Sequence, residues 1–381
     1  MKAIGMYIFG GSQTIGHLLE GWKIDTVLEM TEDMPENNSY HFIKNYPNIS
    51  VKRPSEYEDN TEYLETLKQA NYDLLFANPP CSGLSSINKN ASVNNSINQY
   101  LYKTIKMVKT IEPKVFFIEN APTLTTLGLP ILKDIANETK GMYKLCIIND
   151  CAKNHRVSMY RRRTFVIGFN QKYFNSIPKI ETEVVDEVSS GEILKKIDYK
   201  YNLEFSEDTD ESLFKYYDLV QPDQSLYRAL ALNETIKIDE LPTSIRKAVH
   251  VIREKLNSNQ NVWDKSPWRI SEDHKFQSMT SVTRLIHPTE NRDLYIREYA
   301  AIMGYPDDFI FYPNECKTPT VQCLAQGVPV NFIRYISREI YKSFDKTDCF
   351  NDDVVYINQS NPKNRKINQY SLDEFKETLH I

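Results

Sequence analysis

The sequence predicts a doubly wound α/β fold, a mostly parallel sheet with helices on both faces, joined to a smaller irregular domain. Three observations predict it. Over the first ~170 residues short apolar runs alternate with amphipathic stretches, which is the grammar of a parallel sheet. Most of the early apolar runs end on a turn former or a polar residue. The rhythm stops near residue 169 and returns after about residue 281.

Residues 3–9 read as a buried strand that closes on the Gly10-Gly11-Ser12 turn, and residues 14–19 as the helix that follows. Residues 26–28 form a second strand ending in Glu29. Residues 61–68 place Tyr63, Leu64 and Leu67 on one helical face. Residues 72–77 run as a strand into Asn78-Pro79-Pro80-Cys81, and residues 115–118 into Glu119-Asn120. Strands at 143–148 and 164–167 complete the set. Ligands of such sheets bind beyond the carboxyl ends of the strands. That edge here carries Phe9, Gly10, Gly11, Glu29, Asn78, Pro80, Cys81 and Glu119.

The middle of the chain has another character. Residues 181–240 are rich in Asp and Glu, and the stretch 246–275 shifts toward Arg and Lys around Trp263 and Trp268. Late in the chain, residues 294–303 read as a helix stopped by Gly304. Residues 322–340 give a Gly-Val-Pro turn and an amphipathic helix, and the tail from about 345 is polar. The expected organisation is a catalytic domain of residues 1–169 plus 281–341, a second domain of residues 170–280, and an extension of residues 342–381 without an assigned role.

Composition excludes several classes. At 381 residues, 41% hydrophobic and 25% charged, the chain is neither disordered nor fibrous. No run approaches the ~18 apolar residues of a membrane span. The apolar start is too short for a secretory core, so a cytoplasmic protein is expected. A net charge of −5 excludes nucleic-acid binding through the overall field and requires a local basic face. Cysteines at 81, 146, 151, 316, 323 and 349 form no CxxC pair, and no histidine stands at zinc-finger spacing. Free thiols and no metal are expected.

Three features carry chemistry. A cysteine after a strand and a Pro-Pro turn is held stiffly at the ligand edge, although a lone Pro-Cys is more often a half-buried thiol. Glu119 ends the next strand, where a lone acid is more often a solvated one. In Arg161-Arg162-Arg163, strand alternation points Arg161 and Arg163 together and Arg162 away, although a lone basic cluster is usually a solvated edge. A thiol, a carboxylate and two guanidiniums on one edge suit a covalent reaction on a polar heterocycle.

The ordered series resembles the C5-cytosine DNA methyltransferase family. Phe9-Gly10-Gly11 resembles its Phe-x-Gly turn, Glu29 its acid after the second strand, and Pro79-Pro80-Cys81 its nucleophile motif. Glu119-Asn120-Ala121-Pro122 resembles its Glu-Asn-Val motif, and Arg161 and Arg163 the arginines of its Gln-x-Arg-x-Arg motif. Residues 286–309 resemble its ninth conserved block, and Val328-Pro329 with the next helix its last. The resemblance covers roughly 60% of the chain. Departures fall at Ser12-Gln13-Thr14, Met159, Ala325-Gln326 and Ser55, which stands where an adenine-binding Asp is usual. They bear on cofactor affinity more than on reaction type.

The resemblance implies the class I S-adenosylmethionine methyltransferase fold, with residues 170–280 as the target-recognition domain. It implies that Cys81 adds to C6 of a flipped-out cytosine, activated by Arg161 and Arg163. Glu119 then holds N3 and the exocyclic amine, and Arg163 reaches O2. S-adenosylmethionine is the expected cosubstrate, held by Phe9, Gly10, Gly11, Ser12, Glu29, Met30, Ser55, Asn78, Pro80, Gln326 and Val328. Residues 82–98 are the expected mobile loop over the DNA, with Ser85 and Lys89 on phosphate. On charge alone, Arg253, Lys265 and Arg269 are the candidates for the recognition face, with the acidic stretch 204–240 turned away. The expected partners are double-stranded DNA and a cognate restriction endonuclease, and the expected state is a monomer encoded by a bacterium or a phage. Three alternatives remain: a tRNA cytosine-5 methyltransferase of the same family, a non-catalytic nucleic-acid-binding relative, and an amino-methyltransferase reading of Asn78-Pro79-Pro80.

Overall fold

A computed structural model describes residues 1–29, 32, 36–181, 188–204, 211–260, 262, 264–273, 276–279, 284–313 and 317–359. Eight strands form the main sheet: β1 (Lys2–Met6), β2 (Lys23–Leu28), β3 (Ser50–Lys52), β4 (Leu74–Ala77), β5 (Val115–Asn120), β6 (Tyr143–Cys151), β7 (Arg162–Asn170) and β8 (Val354–Asn358). Their order is β8-β6-β7-β5-β4-β1-β2-β3. Strand β7 runs antiparallel to β5 and β6, and every other pairing is parallel.

Strand β5 shows why the sheet sits inside the molecule. It reads Val-Phe-Phe-Ile-Glu-Asn and is buried at every position. Alternation sends Val115 and Phe117 to one face, with Phe165, Ile167 and Phe169. Phe116 and Ile118 go to the other, with Leu145, Ile147 and Val166. A strand covered on both faces needs an apolar side chain at each position, so the first polar residues, Glu119 and Asn120, mark its functional end. Each buried Phe contributes about 1.5–3 kcal/mol.

Helices Ser12–Leu19 and Val330–Ser343 cover the first face. They approach closely because Gly16 lacks a side chain: a Cβ there would lie 2.6 Å from Ile333 Cγ2. Helices Gln99–Ile111 and Leu129–Thr139 cover the second face with Leu101, Ile105, Ile131 and Ile135.

A third apolar cluster lies in the middle of the chain. Leu226 and Leu230 of helix Leu226–Leu232 pack on Ile245, Val249 and Ile252 of helix Thr243–Asn257, with Tyr217 and Leu241. Beside it Trp268–Arg269 pairs with Gln224–Ser225 and with Leu285–Ile286. Leu285 and Ile286, read from sequence as part of the returning catalytic segment, are therefore strand partners of the middle segment. The polar tail also holds more structure than its composition suggests. Val354–Asn358 extends the main sheet beyond β6, and Cys349–Phe350 pairs with Ile177–Pro178. Met30, Trp263, Cys316 and residues 360–381 lie outside the described residues, as does the expected boundary at 280–281. No helix among the described residues is long and apolar enough to cross a membrane.

Candidate active site

The carboxyl ends of β4 and β5 and the start of β7 bring the reactive groups together. After β4 the chain runs through Asn78-Pro79-Pro80 to Cys81. Asn120, at the end of β5, donates from Nδ2 to the Pro79 carbonyl at 3.3 Å and accepts at Oδ1 from the Ala121 amide at 2.9 Å. This ties the cysteine loop to the neighbouring strand. Thr123 Oγ1 donates to the Leu84 carbonyl at 2.5 Å on the far side of Cys81. The sequence reading named Asn120 only as part of a motif; its contacts make it a positioning residue.

Glu119 is buried, and its Oε1 lies 2.5 Å from Arg163 Nε. Register places Glu119 opposite Phe165, so Arg163 lies diagonally across β7 on the same sheet face. Burial raises the Glu119 carboxyl above its usual range, against the pull of the Arg163 and Arg161 cations. A carboxyl so placed is inclined to hold a proton.

Cys81 is partly exposed as a residue. Burial pushes its thiol up; the Arg163 cation opposes this, Glu119 reinforces it, and Arg161 opposes it more weakly. Both guanidiniums pull the thiol toward its thiolate, as expected, while loss of solvation outweighs them in the free protein.

Arg162 is exposed, as alternation requires, while Arg161 and Arg163 both act on Cys81 and Glu119. The two differ in what they hold. Arg163 donates from Nη1 to the Arg162 carbonyl at 2.7 Å and pairs with Glu119. Arg161 is buried, with Nη1 on Ser278 Oγ (3.1 Å) and the Met279 carbonyl (3.0 Å), and Nη2 on the carbonyls of Ala325 (2.7 Å) and Gly327 (2.6 Å). Both terminal nitrogens are committed to the scaffold. Arg161 thus joins residues 278–279 to the turn before the last helix, and from that fixed place its charge favours the Cys81 thiolate.

The neighbouring edge is built around Phe9–Gly11. Phe9 (φ 46°) and Gly11 (φ 82°) are left-handed, which turns the chain sharply out of β1. Tyr305 donates its hydroxyl to the Gly10 carbonyl at 2.9 Å, and a Cβ on Gly10 would lie 2.6 Å from that oxygen. Ser12 Oγ accepts from the Val328 amide at 3.1 Å, and Gln13 Nε2 donates to the Ala77 carbonyl at 3.3 Å. The departures at Ser12 and Gln13 are thus bonds between the first turn, β4 and the last block. Glu29 is buried beyond β2, its amide on the Lys52 carbonyl (2.8 Å) and its carbonyl accepting from Tyr57 Oη (2.5 Å). Asn78 is buried and its amide donates to the Met6 carbonyl at 3.3 Å.

Ser55 is held by Glu32, whose carboxylate accepts from its hydroxyl at 3.0 Å and from its amide. Val328 is buried and Gln326 exposed. A strand-end carboxylate can accept from the hydroxyls of a ribosyl nucleoside, and a turn with no Cβ at two positions lets such a group approach the backbone, so these residues fit S-adenosylmethionine.

Two of the three proposed recognition cations spend their guanidiniums on protein carbonyls. Arg269 is buried and donates to the carbonyls of Val220 (2.8 Å), Tyr217 (2.7 Å), His287 (2.6 Å) and Glu290 (3.0 Å) and to Asn291 Oδ1 (2.7 Å). Arg253 reaches back over the end of helix Leu226–Leu232 to the carbonyls of Leu230, Ala231, Asn233 and Ile236, at 3.0–3.2 Å. A helix end leaves such carbonyls without partners, and a guanidinium can satisfy several at once. Both assignments to DNA are corrected to structural ones. Lys265 and Lys89 are exposed, and Ser85 is half-buried.

The sequence reading gave Glu298 no role beyond its place in the ninth block. It is buried and accepts from Arg292 Nη1 and Nη2 (both 2.8 Å), Tyr199 Oη (2.7 Å) and the Tyr295 amide (2.7 Å). Tyr199 belongs to the middle segment, so Glu298 fastens that segment to the late helix Ile296–Ile302. Two adjacent charged residues, Arg297 and Glu298, in an otherwise largely apolar helix were the available signal.

The family model for C-5 cytosine-specific DNA methylase matches residues 6–342. Among curated relatives, the Type II methyltransferase M.DdeI of Desulfomicrobium norvegicum is 23% identical, over 94% of this chain and 92% of that protein. The Type II methyltransferase M.FnuDI of Fusobacterium nucleatum is 22% identical, over 89% and 94%. Among solved structures, a DNA modification methyltransferase encoded within a prophage (E. coli) superposes with a TM-score of 0.63 at 17% identity, covering 91% of this chain and all of that one. The Entamoeba histolytica methyltransferase EhMeth gives 0.59 at 14% identity, covering 90% and 98%.

Proposed function

The chain belongs to the C-5 cytosine-specific DNA methylase family, and from that premise we propose which of its residues perform the reaction and how. The protein is a DNA cytosine-5 methyltransferase with S-adenosylmethionine as methyl donor. The observation that carries the residue assignment is the meeting of Cys81, Glu119 and Arg163 at one sheet edge.

Cytosine C5 is a weak nucleophile. The Cys81 thiolate adds to C6, the displaced electron pair moves toward N3, and C5 gains enamine character. Glu119, holding its proton, donates to N3 and accepts from the exocyclic amine, which disperses the charge as the sulfur adds. Arg163 steadies Glu119 and extends toward O2. S-adenosylmethionine, when bound, supplies an electrophilic methyl group beside the Glu29 and Phe9–Gly11 edge. Loss of the C5 proton to solvent then expels Cys81 and regenerates the thiolate. The base must leave the duplex first, and residues 82–98 close over it. Residues 170–280 read the sequence, and a cognate endonuclease, a monomeric state and a cytoplasmic location belong to the same reading.

The direct test is nucleoside mass spectrometry after incubation with S-adenosylmethionine and either unmethylated genomic DNA or tRNA. 5-Methylcytosine in DNA is the expected result; product only in tRNA would overturn the substrate assignment. A second test separates the cations. Lys265→Ala is expected to reduce the log–log salt slope of DNA binding by about one. Arg269→Ala is expected to leave that slope unchanged and to destabilise the fold by ~2–5 kcal/mol, because four backbone carbonyls and Asn291 Oδ1 lose their donor. Equal slopes for Lys265→Ala and the unaltered chain would remove Lys265 from the DNA face.

A further inference from the structure

The extension that follows the last helix takes no part in the reaction as described, yet it is built into the fold at two places. Strand β8 pairs along its five residues with β6. Before it, Cys349–Phe350 pairs with Ile177–Pro178, in the stretch that leaves the catalytic sheet after β7 and leads to the middle segment. The chain crosses between these two parts twice. The later crossing is fastened by Arg161, which bonds residues 278–279 to the turn before the last helix. The earlier crossing is fastened by the extension.

That fastening centres on one carboxylate. Glu339, near the end of the last helix, is buried. Its Oε2 accepts from Lys346 Nζ at 2.7 Å and from the Glu181 amide at 3.2 Å. Lys346 Nζ also donates to the Lys179 carbonyl at 2.6 Å, and the Lys179 amide donates to the Asp348 carbonyl at 3.0 Å. Residues 177–181 are thus held by the helix and by the extension together, while buried Ile177 and Ile180 seat them on the core. Apolar burial holds such a stretch down without fixing its register, and a ladder of two residue pairs slips easily. A lysine bonded to a carboxylate and a carbonyl removes that freedom. A buried ion pair adds little net stability over apolar side chains of similar size, so its use here points to geometry. Exposed Lys342 reaches the other oxygen, Oε1, at 3.1 Å from within the helix itself. Both crossings therefore rest on one helix, the later at its first turn and the earlier near its last.

We propose that Lys346 is a positioning residue: with Glu339 it sets how the middle segment, and the DNA it carries, is presented to Cys81. This rests on the reading above, which gives residues 170–280 to the DNA. A slip of one residue along the Ile177–Pro178 ladder would shift the crossing by about 3.3 Å. A misplacement of about 1 Å at the reacting atoms can cost about 10²-fold in rate. The extension thus acts on the reaction without touching either substrate, through the crossing that it holds in register.

The test uses the full chain, after its recognised site has been read from DNA it has methylated. Single-turnover methylation at saturating DNA is measured on a duplex with that site and on one with a single altered base pair beside the target cytosine. Lys346→Met keeps the length of the side chain and removes its bonds to Lys179 and Glu339. It is expected to lower the rate on the recognised duplex about tenfold. It is also expected to narrow the preference over the altered duplex about fivefold, because a loosely held segment discriminates less. Lys346→Arg is expected to restore most of both. Lys342→Met takes the same charge from the same carboxylate but leaves the crossing held, and is expected to stay within about twofold of the unaltered chain. S-adenosylhomocysteine binding measured by calorimetry is expected to be alike in all, which reports a folded chain. Full rate and preference in Lys346→Met, whatever its melting temperature, would overturn the proposal and leave the bonds of Lys346 a stabilising contact. An equal loss in Lys342→Met would overturn it too, by tracing the effect to charge at Glu339. Absence of 5-methylcytosine with the unaltered chain would instead sink the underlying reading, and the role of Lys346 with it.

Discussion

Cys81→Ala abolishes methylation, with a loss on the order of 10⁴-fold or more, because the whole scheme rests on a sulfur adding to C6 and no other group can replace it. The loss is expected in turnover and not in retention of DNA, since the alanine removes neither Glu119 nor the Ser85 and Lys89 contacts. A gel-shift titration beside the nucleoside assay separates the two. The same cysteine has a second, pH-dependent signature. Its thiol is raised by burial against the pull of Arg163, so little thiolate exists at neutral pH in the free protein. Alkylation by iodoacetamide, followed at the Cys81 peptide, is therefore expected to rise about tenfold per pH unit and to keep rising beyond the ~8.5 of a free thiol. A plateau below that value would show that the guanidinium field outweighs burial. On DNA the balance changes, because the base that enters beside Cys81 engages Glu119, whose carboxyl opposes the thiolate when it is ionised.

The extent to which this was legible in the sequence varies by residue type. Cys81 and Glu119 were legible because each follows a run of apolar residues that can only be a buried strand, which places the next polar residue at the sheet edge. The lengths of β6 and β7 were less so. Both continue past their apolar stretches, to Cys151 and back to Arg162, because the antiparallel pairing of Asp150 with Arg163 and Cys151 with Arg162 sustains them where hydrophobicity no longer does. Val354-Val355-Tyr356-Ile357 carried a strand signal that the polar residues around it diluted.

Arginine was the least legible residue. Charge alone marks Arg253 and Arg269 for the DNA face and alternation marks Arg161 for the site, yet each has its guanidinium among backbone carbonyls of other segments. Nothing local in sequence states where unpaired carbonyls will be, because they arise from helix ends and irregular turns that meet only on folding. Lys265, on a side chain less suited to satisfying several carbonyls, remained exposed. The departures at Ser12 and Gln13 make the same point from the other side. Read against a family pattern they suggest a weakened cofactor edge; in the fold they bond to Val328 and Ala77 and hold that edge together.

Glu119→Gln separates two roles that the geometry gives one carboxyl. A protonated glutamic acid presents a donor and an acceptor side by side, matching N3 and the exocyclic amine of cytosine. A glutamine presents the same pair, so it can hold the flipped base, but it cannot give up a proton. The raised pKa of Glu119 makes the protonated form available in the free protein, and attack at C6 increases the basicity of N3 at the moment that proton is needed. If orientation alone mattered, Glu119→Gln would retain most activity. If proton donation in the transition state matters, turnover falls about 10²–10⁴-fold while affinity for DNA with the recognised site stays within a fewfold. We expect the second outcome, read by single-turnover methylation beside equilibrium binding. The pH dependence supplies the sign. A rate limited by loss of the Glu119 proton falls as pH rises through its raised pKa, whereas one limited by the Cys81 thiolate rises, so the unaltered enzyme should show a bell-shaped profile. The glutamine variant, having no proton to lose, should keep only the rising limb. A falling limb that persists in Glu119→Gln would assign the acid to another group and leave Glu119 as a hydrogen-bonding guide alone.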